Sequence, residues 1–443
     1  MSERQLAEAL RDIADAAVVP SLPDNLWRRG QRRHRRRVAA ATLAVAVVAV
    51  LVALPLARHR SVAEPVAPAD VPSPVPSIVY APLPWQRTVQ QAPVGPAALI
   101  VTGEGAFRGS DVFGGNEGRT VVVGRDGRYR LVNGPVEVEA GWDAHLSPDG
   151  RFVAVGGPVE GGADAPFDST SIVDLTTGRV RVYAGNFPAG WSPDGRHLLL
   201  HGNSRLVLLD VASGETQHML GNLADPRIAF AADGARLAVQ DGPLLSIVDV
   251  ASGKRGLPIT LEPRRYLAGP GAWTPDGRIA FWDTIAGCEE ECRGPAPEVG
   301  EFRLSLVDPR SAATVPGPAV DVVRGHVPRL LGWQPDGDAI VQTYHPPHLP
   351  GGGERGPQVI ALRPGGGQTL LVDLPDQAHS VEVAQDLLRA DRFGGAPPLT
   401  ARLGDWISGL MNPLTLVAAA LLGALVVRYL RRRRRGMADR DRL

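Results

Sequence analysis

Residues 192–202 read Ser192-Pro193-Asp194-Gly195-Arg196 followed by His197-Leu198-Leu199-Leu200-His201-Gly202, and the reading of this stretch decides the fold because it recurs. Ser147-Pro148-Asp149-Gly150-Arg151 precedes FVAVGG, and Thr274-Pro275-Asp276-Gly277-Arg278 precedes IAFWD. Two looser copies, Ala231-Ala232-Asp233-Gly234 and Gln334-Pro335-Asp336-Gly337, lead into ARLAVQDG and DAIVQTY. The five aspartates lie 45, 39, 43 and 60 residues apart. In x-Pro-Asp-Gly the proline presets φ, the aspartate bonds backbone N–H groups and the glycine takes positive φ, so each copy predicts a tight turn between two apolar strands. That role accounts for Asp149, Asp194, Asp233, Asp276 and Asp336 and their glycines Gly150, Gly195, Gly234, Gly277 and Gly337 without catalytic or metal chemistry.

Between these turns runs a second element: Val173-Asp174-Leu175-Thr176-Thr177-Gly178, Leu209-Asp210-Val211-Ala212-Ser213-Gly214 and Val248-Asp249-Val250-Ala251-Ser252-Gly253, with Leu306-Val307-Asp308-Pro309 as a degenerate copy. Asp-x-x-Ser/Thr-Gly makes a short hairpin loop by the same devices. One repeat is therefore four strands in about 40–50 residues, the period of a propeller blade. Gly (51) and Pro (40) are too many for a helical chain and punctuate short apolar runs, as a many-stranded β architecture requires.

On these turns the chain resembles the TolB-like and WD-repeat-like bacterial β-propellers, whose blades carry the same S-P-D-G-[RK] turn before an apolar strand. The likeness covers about 98–388 and implies fold only, because propellers host many roles. Five blades start at the five turns. Ala97–Thr102, Thr120–Val123 and Arg128–Val132, with an Arg125-Asp126-Gly127-Arg128 hairpin, supply three further strands upstream. Val381–Leu388 reads as one more downstream. Three strands from one end and one from the other complete a sixth blade and close the ring. The expectation is all-β, a six-bladed propeller over 98–390 flanked by two transmembrane helices.

Those helices are read from two apolar stretches. Val38–Ala57 is twenty residues without a charge, about 30 Å as helix and so the thickness of a bilayer core. A second span over 406–428 has Trp406 and Tyr429 at its ends, where amphipathic rings prefer the interface. Arg28, Arg29, Arg32, Arg33 and Arg35–Arg37 precede the first span, and Arg431–Arg435 follow the second. Such clusters stay inside, so the segments 1–37 and 429–443 are expected in the cytoplasm and 58–405 outside it. A cleaved signal peptide is the alternative for the first span, but its n-region would be too long and Pro55 would fall at the −3 position. The Pro-rich stretch 58–97 reads as an extended spacer that need touch nothing, and 391–405 as a juxtamembrane linker.

Formal net charge is zero, from 47 basic and 47 acidic residues, which gives no field for nucleic acid. The arginine run beside the first span fits topogenesis and anionic headgroups better than a nucleic-acid patch. Cys288 and Cys292, in AGCEEECRG within the longest repeat, would pair as a disulfide at a loop tip if exported. The alternative, a metal site, would have to draw on His345 and His348. Gly190-Trp191-Ser192-Pro193-Asp194 lacks the second glycine of a nucleophile elbow, and Gly351–Gly353 lacks the Lys-Ser/Thr of a phosphate loop. No cofactor is expected, and the chain reads as a non-enzyme.

Leu6, Leu10, Ile13 and Ala17 share one face of a short N-terminal helix, which lies on the membrane or docks a cytosolic partner. A short helix, an arginine cluster, a span and an outer domain resemble the layout of membrane-bound anti-sigma regulators, although the His-x-x-x-Cys-x-x-Cys zinc signature is absent. The expected function is a membrane-anchored outer propeller that binds a protein, peptide or cell-envelope glycan through the loops 157–170, 282–301 and 344–357. Two alternatives remain: a signal transducer acting through residues 1–27, and an enzyme built on the propeller channel.

Overall fold

The computed structural model describes residues 74–82, 86–103, 119–132, 144–157, 169–287, 299–311, 313–315, 320–345, 355–375 and 378–397. The two apolar stretches, the N-terminal helix, Cys288, Cys292 and His348 lie outside these residues. Among the described residues no helix is long and apolar enough to cross a membrane.

Six sheets of four consecutively paired antiparallel strands make six blades. Blade 2 runs from its inner strand Ala144–Leu146 through Phe152–Gly157 and Ser169–Asp174 to Val180–Ala184. Blade 3 is Phe187–Trp191, His197–Gly202, Arg205–Asp210 and Thr216–Gly221. Blade 4 is Arg227–Phe230, Arg236–Asp241, Leu244–Asp249 and Ile259–Thr260. Blade 5 is Arg265–Leu267, Ile279–Gly287, Val299–Val307 and Thr314–Val315, and Val323–His326 adds a fifth strand on Val299–Val307. Blade 6 is Arg329–Trp333, Ala339–His345, Arg355–Leu362 and Gln368–Asp373.

Blade 1 is split across the chain: its inner strand is Ala378–Val383, and its outer three are Ala97–Gly103, Arg119–Gly124 and Tyr129–Val132. Three strands from one end and one from the other thus close the ring. Middle strands pack on both faces, so their apolar runs are continuous instead of alternating. Leu198, Leu199 and Leu200 are all buried, as are Val121, Val122 and Val123.

The seams between blades are stitched by side chains that reach the neighbour's backbone. Gln240 of blade 4 donates from Nε2 to Arg265 O at 2.9 Å and accepts from Leu267 N. Gln342 of blade 6 repeats the device on blade 1, donating to His379 O at 2.9 Å and accepting from Val381 N at 3.2 Å. Between blades 5 and 6 the backbones themselves meet: Leu330 N donates to Ala268 O at 2.7 Å. Gly271 permits this approach, since a Cβ there would lie 2.4 Å from Gly332 N.

Two sequence expectations need correction. Val381–Leu388 is not one strand: the strand ends at Val383 and Gln385–Arg389 is a short helix. Leu388 N donates to Ala384 O and Ala390 N to Asp386 O, both at 3.1 Å, the i−4 bonds of a helix, and the buried Leu387 and Leu388 hold it on the ring.

The supposedly free spacer is, from residue 74 on, packed against the propeller. Val75, Val79, Val89 and Val94 are buried. Val79 N donates to Asp373 O at 2.9 Å on the outer strand of blade 6, and Val89 N to Leu131 O at 2.9 Å on that of blade 1. These valines supply the apolar contact that a reading from proline content overlooked. Val75–Pro76 also pairs in parallel with Phe393–Gly395, so the incoming and outgoing chain run side by side.

Candidate functional site at the mouth of the channel

Strand direction alternates through a blade, so every Pro-Asp-Gly turn and every Asp-x-x-x-Gly hairpin falls on one face of the ring. The connections between second and third strands fall on the other. The expected contact loops 157–170, 282–301 and 344–357 are all connections of that second kind, which gathers their ends on one face; the middles of all three lie outside the described residues. On the opposite face, where the inner strands end in their turns, a cavity of about 280 Å³ opens into the central channel.

Each turn is held as its composition dictates. Asp149 Oδ1 accepts from Ser147 Oγ at 2.7 Å and from Arg151 N at 3.0 Å, and Asp194 Oδ1 accepts from Ser192 Oγ at 2.6 Å and Arg196 N at 3.0 Å. Asp233 accepts from Ala235 N at 3.0 Å, and Asp336 from Asp338 N at 3.3 Å. Asp276 is bonded by Arg278 and Thr274, which hold its carboxyl below the ordinary range. Ser192, the residue nearest to a nucleophile in the sequence, has its hydroxyl engaged by Asp194 and by His197 N at 2.9 Å. The turns therefore build the rim, and their prolines Pro148, Pro193 and Pro275 line the mouth.

Inside the rim lies a set of aromatic rings that the sequence reading passed over. Trp191, Phe230, Trp273 and Trp333 each stand immediately before a four-residue turn, and all four line the cavity. Each tryptophan donates its Nε1–H to a backbone carbonyl of the preceding blade. Trp191 reaches His145 O at 3.0 Å, Trp273 reaches Ala229 O at 3.0 Å and Trp333 reaches Gly271 O at 2.9 Å. The indoles are thereby fixed as walls, with Trp191 9% and Trp273 5% exposed. Their recurrence before four of the five turns is visible in the sequence, Leu146 standing at the fifth; that they converge is not.

Opposite the rings is a polar bank from blades 1 and 2. Glu382, on the inner strand of blade 1, accepts from His145 Nδ1 at 2.9 Å, from Arg329 Nη2 at 2.5 Å and from Leu146 N at 2.6 Å. It thus ties blade 6 to blade 2 across the closing strand. Burial pushes the Glu382 carboxyl up, but the charges and hydrogen bonds of His145 and Arg329 outweigh it and hold the group at about 2.

Blade 1 has no Pro-Asp-Gly turn. The short helix Gln385–Arg389 takes its place, anchored by Arg125 on Asp386 at 2.7 Å. Gln385 and Arg389 of this helix face the cavity. Gln385 donates from Nε2 to Leu331 O at 3.0 Å. Arg389 is exposed and has no hydrogen-bond or ion-pair partner among the described residues.

Among the described residues no three His, Cys, Asp or Glu side chains are grouped to hold a metal ion. Cys288, Cys292 and His348 fall outside those residues, as does the side chain of His345.

No protein-family model and no curated protein matches the sequence. Solved propellers are similar in structure. TolB from Acinetobacter baumannii is 14% identical with a TM-score of 0.38, the match covering 64% of this chain and 65% of that one. The β-propeller domain of the trilobed protease from Pyrococcus furiosus is 12% identical with a TM-score of 0.36, covering 52% and 69%. A chain of the mitotic checkpoint complex is 15% identical with a TM-score of 0.39, covering 76% and 94%.

Proposed function

We propose that the chain is a membrane-anchored binding module: a six-bladed propeller held outside the cytoplasm by spans at 38–57 and 406–428, recognising a protein, peptide or cell-envelope ligand. The observation that carries the binding role is the channel mouth, a concave, largely apolar cavity with one polar bank, built on turns and strands that the ring makes rigid. Pockets of that composition are the usual places for ligand recognition. The anchoring rests on the two uncharged stretches and their arginine clusters. Val75–Pro76 pairs with Phe393–Gly395, so the two connectors touch at the edge of the propeller while running in the same direction.

In this reading the chain binds without turnover. A photo-crosslinking residue at Ile228, inside the mouth, should capture a discrete partner in intact cells, and a tag inserted at Ser213 should be reachable from outside. A tag reachable only from the cytosol would overturn the export. Turnover in a broad hydrolase screen, abolished by one change in the mouth, would overturn the non-enzymatic role.

A second reading, transduction through residues 1–27, is favoured by one feature. The helix bearing Gln385 and Arg389 leads from the mouth directly to the pairing of the two connectors. Deleting residues 2–20 separates the readings, since a transducer loses its output while a display module keeps ligand binding and phenotype.

A further inference from the structure

We propose that the channel mouth receives the C-terminal end of a polypeptide, with the α-carboxylate on Arg389 and an apolar last side chain against Phe230 and Trp273. This rests on the mouth being a binding site and adds the chemical class of its ligand.

The charges around the mouth determine the sign. Glu382 is fully engaged by His145, Arg329 and Leu146 N, and Asp386 by Arg125. Neither acid is left over to neutralise Arg389, whose guanidinium stands at the cavity without a partner among the described residues. An unpaired guanidinium beside an apolar wall recognises a carboxylate well, because its fork of donors can bind both oxygens. Gln385 has committed its Nε2 to Leu331 O and keeps its Oε1 for an incoming N–H. Anion and amide recognition therefore sit together on one short helix, as the last residue of a peptide presents them.

The remainder of the cavity is apolar, formed by Ile228, Phe230, Trp273 and the turn prolines. This cavity of about 280 Å³ has room for an apolar terminal side chain. A sugar would need exposed ring faces to stack on. The indoles here are largely covered and their N–H groups already donated, so they wall a slot instead of offering a platform.

The test uses the full chain in detergent micelles and fluorescein-labelled hexapeptides ending in Leu or Phe, each made with a free C-terminal carboxylate and as its C-amide. Fluorescence anisotropy should show the acids binding about tenfold or more tighter than the amides, the discrimination expected of one charge-assisted hydrogen-bonded contact. Arg389→Ala should erase that difference and Arg389→Lys should retain part of it. Both changes lie on an exposed side chain and should leave the thermal midpoint unmoved. Equal binding of acids and amides, or an Arg389→Ala variant that still discriminates, overturns the ligand class while leaving the mouth as a binding site. Binding of neither peptide series also overturns the ligand class. Only a failure of the crosslinker at Ile228 to capture any partner would count against the mouth as a binding site at all.

Discussion

The carboxylate of Glu382 lies 2.9 Å from Nδ1 of His145, although the two residues are 237 positions apart in the chain. One belongs to the last strand of the ring and the other to the first complete blade, so this contact, shared with Arg329, fastens the point where the ring closes.

Replacing Glu382 with Gln leaves Arg329 and His145 around a neutral group whose side chain is only 12% exposed in the native protein. Removing one partner from a buried ionic cluster is costly, and a loss of about 3 kcal/mol is expected. Urea unfolding of the two proteins at pH 7 measures it. A midpoint unchanged by the substitution would show that the seam does not depend on this charge.

The same group sets an acid dependence. Its carboxyl is depressed to about 2 in the fold from an ordinary value of 4.5. A depressed acid stabilises fully above its unfolded value and loses that stabilisation as pH falls through the folded one. Wild-type stability should therefore decline between about pH 4.5 and 2 more steeply than that of Glu382→Gln. Parallel pH profiles for the two proteins would contradict the assignment.

Gly150 and Gly195 occupy the same turn position, with φ of 73° and 69°. A Cβ on Gly195 meets only Pro148 Cδ at 3.7 Å, whereas one on Gly150 would stand 2.2 Å from Ala97 O. Gly195→Ala should cost roughly 1–2 kcal/mol, the ordinary penalty for a left-handed alanine. Gly150→Ala should cost clearly more, because the strand Ala97–Gly103 of blade 1 must also move. Thermal melts of the pair decide it, and equal losses would refute the close approach.

Trp273→Phe keeps an aromatic wall at the mouth but leaves the carbonyl of Ala229 without its indole donor. A destabilisation of about 1 kcal/mol is expected from the lost hydrogen bond, since Ala229 stays paired with Ala238 in the strand ladder. Trp273→Ala, which also opens a cavity, should cost about 3–5 kcal/mol. Should the phenylalanine variant prove as unstable as the alanine variant, the hydrogen bond to Ala229 and the ring's packing could not be contributing separately as argued.

What could be read from the sequence was what is local. Pro193-Asp194-Gly195 and its relatives specify a turn within four residues, and the spare strands at 97–102, 120–123 and 128–132 were countable without knowing their partners. The helix at Gln385–Arg389 was misread because five residues are too few to show a period, and burial of the adjacent Leu387 and Leu388 depends on a surface the rest of the ring provides. Val75 and Val79 were hidden by the prolines around them. The mouth could not be assembled at all, because Trp273 comes from blade 5 and Glu382 and Arg389 from the closing segment, and they meet only when the ring has formed. Gln240 and Gln342 show the same limit: each is an unremarked polar residue in an apolar strand until the neighbouring blade supplies Arg265 O or His379 O.

The pairing of Ala378–Val383 with Ala97–Gly103 also constrains how the molecule can be made. While the chain is being synthesised, the edge of Ala97–Gly103 has no inner neighbour until the last blade has been translated. An uncovered strand edge of this kind invites pairing with other chains, and a contact so distant in sequence forms slowly. Fragments ending short of residue 378 should therefore accumulate as aggregates, and protease resistance should appear only in chains that include Ala378–Val383.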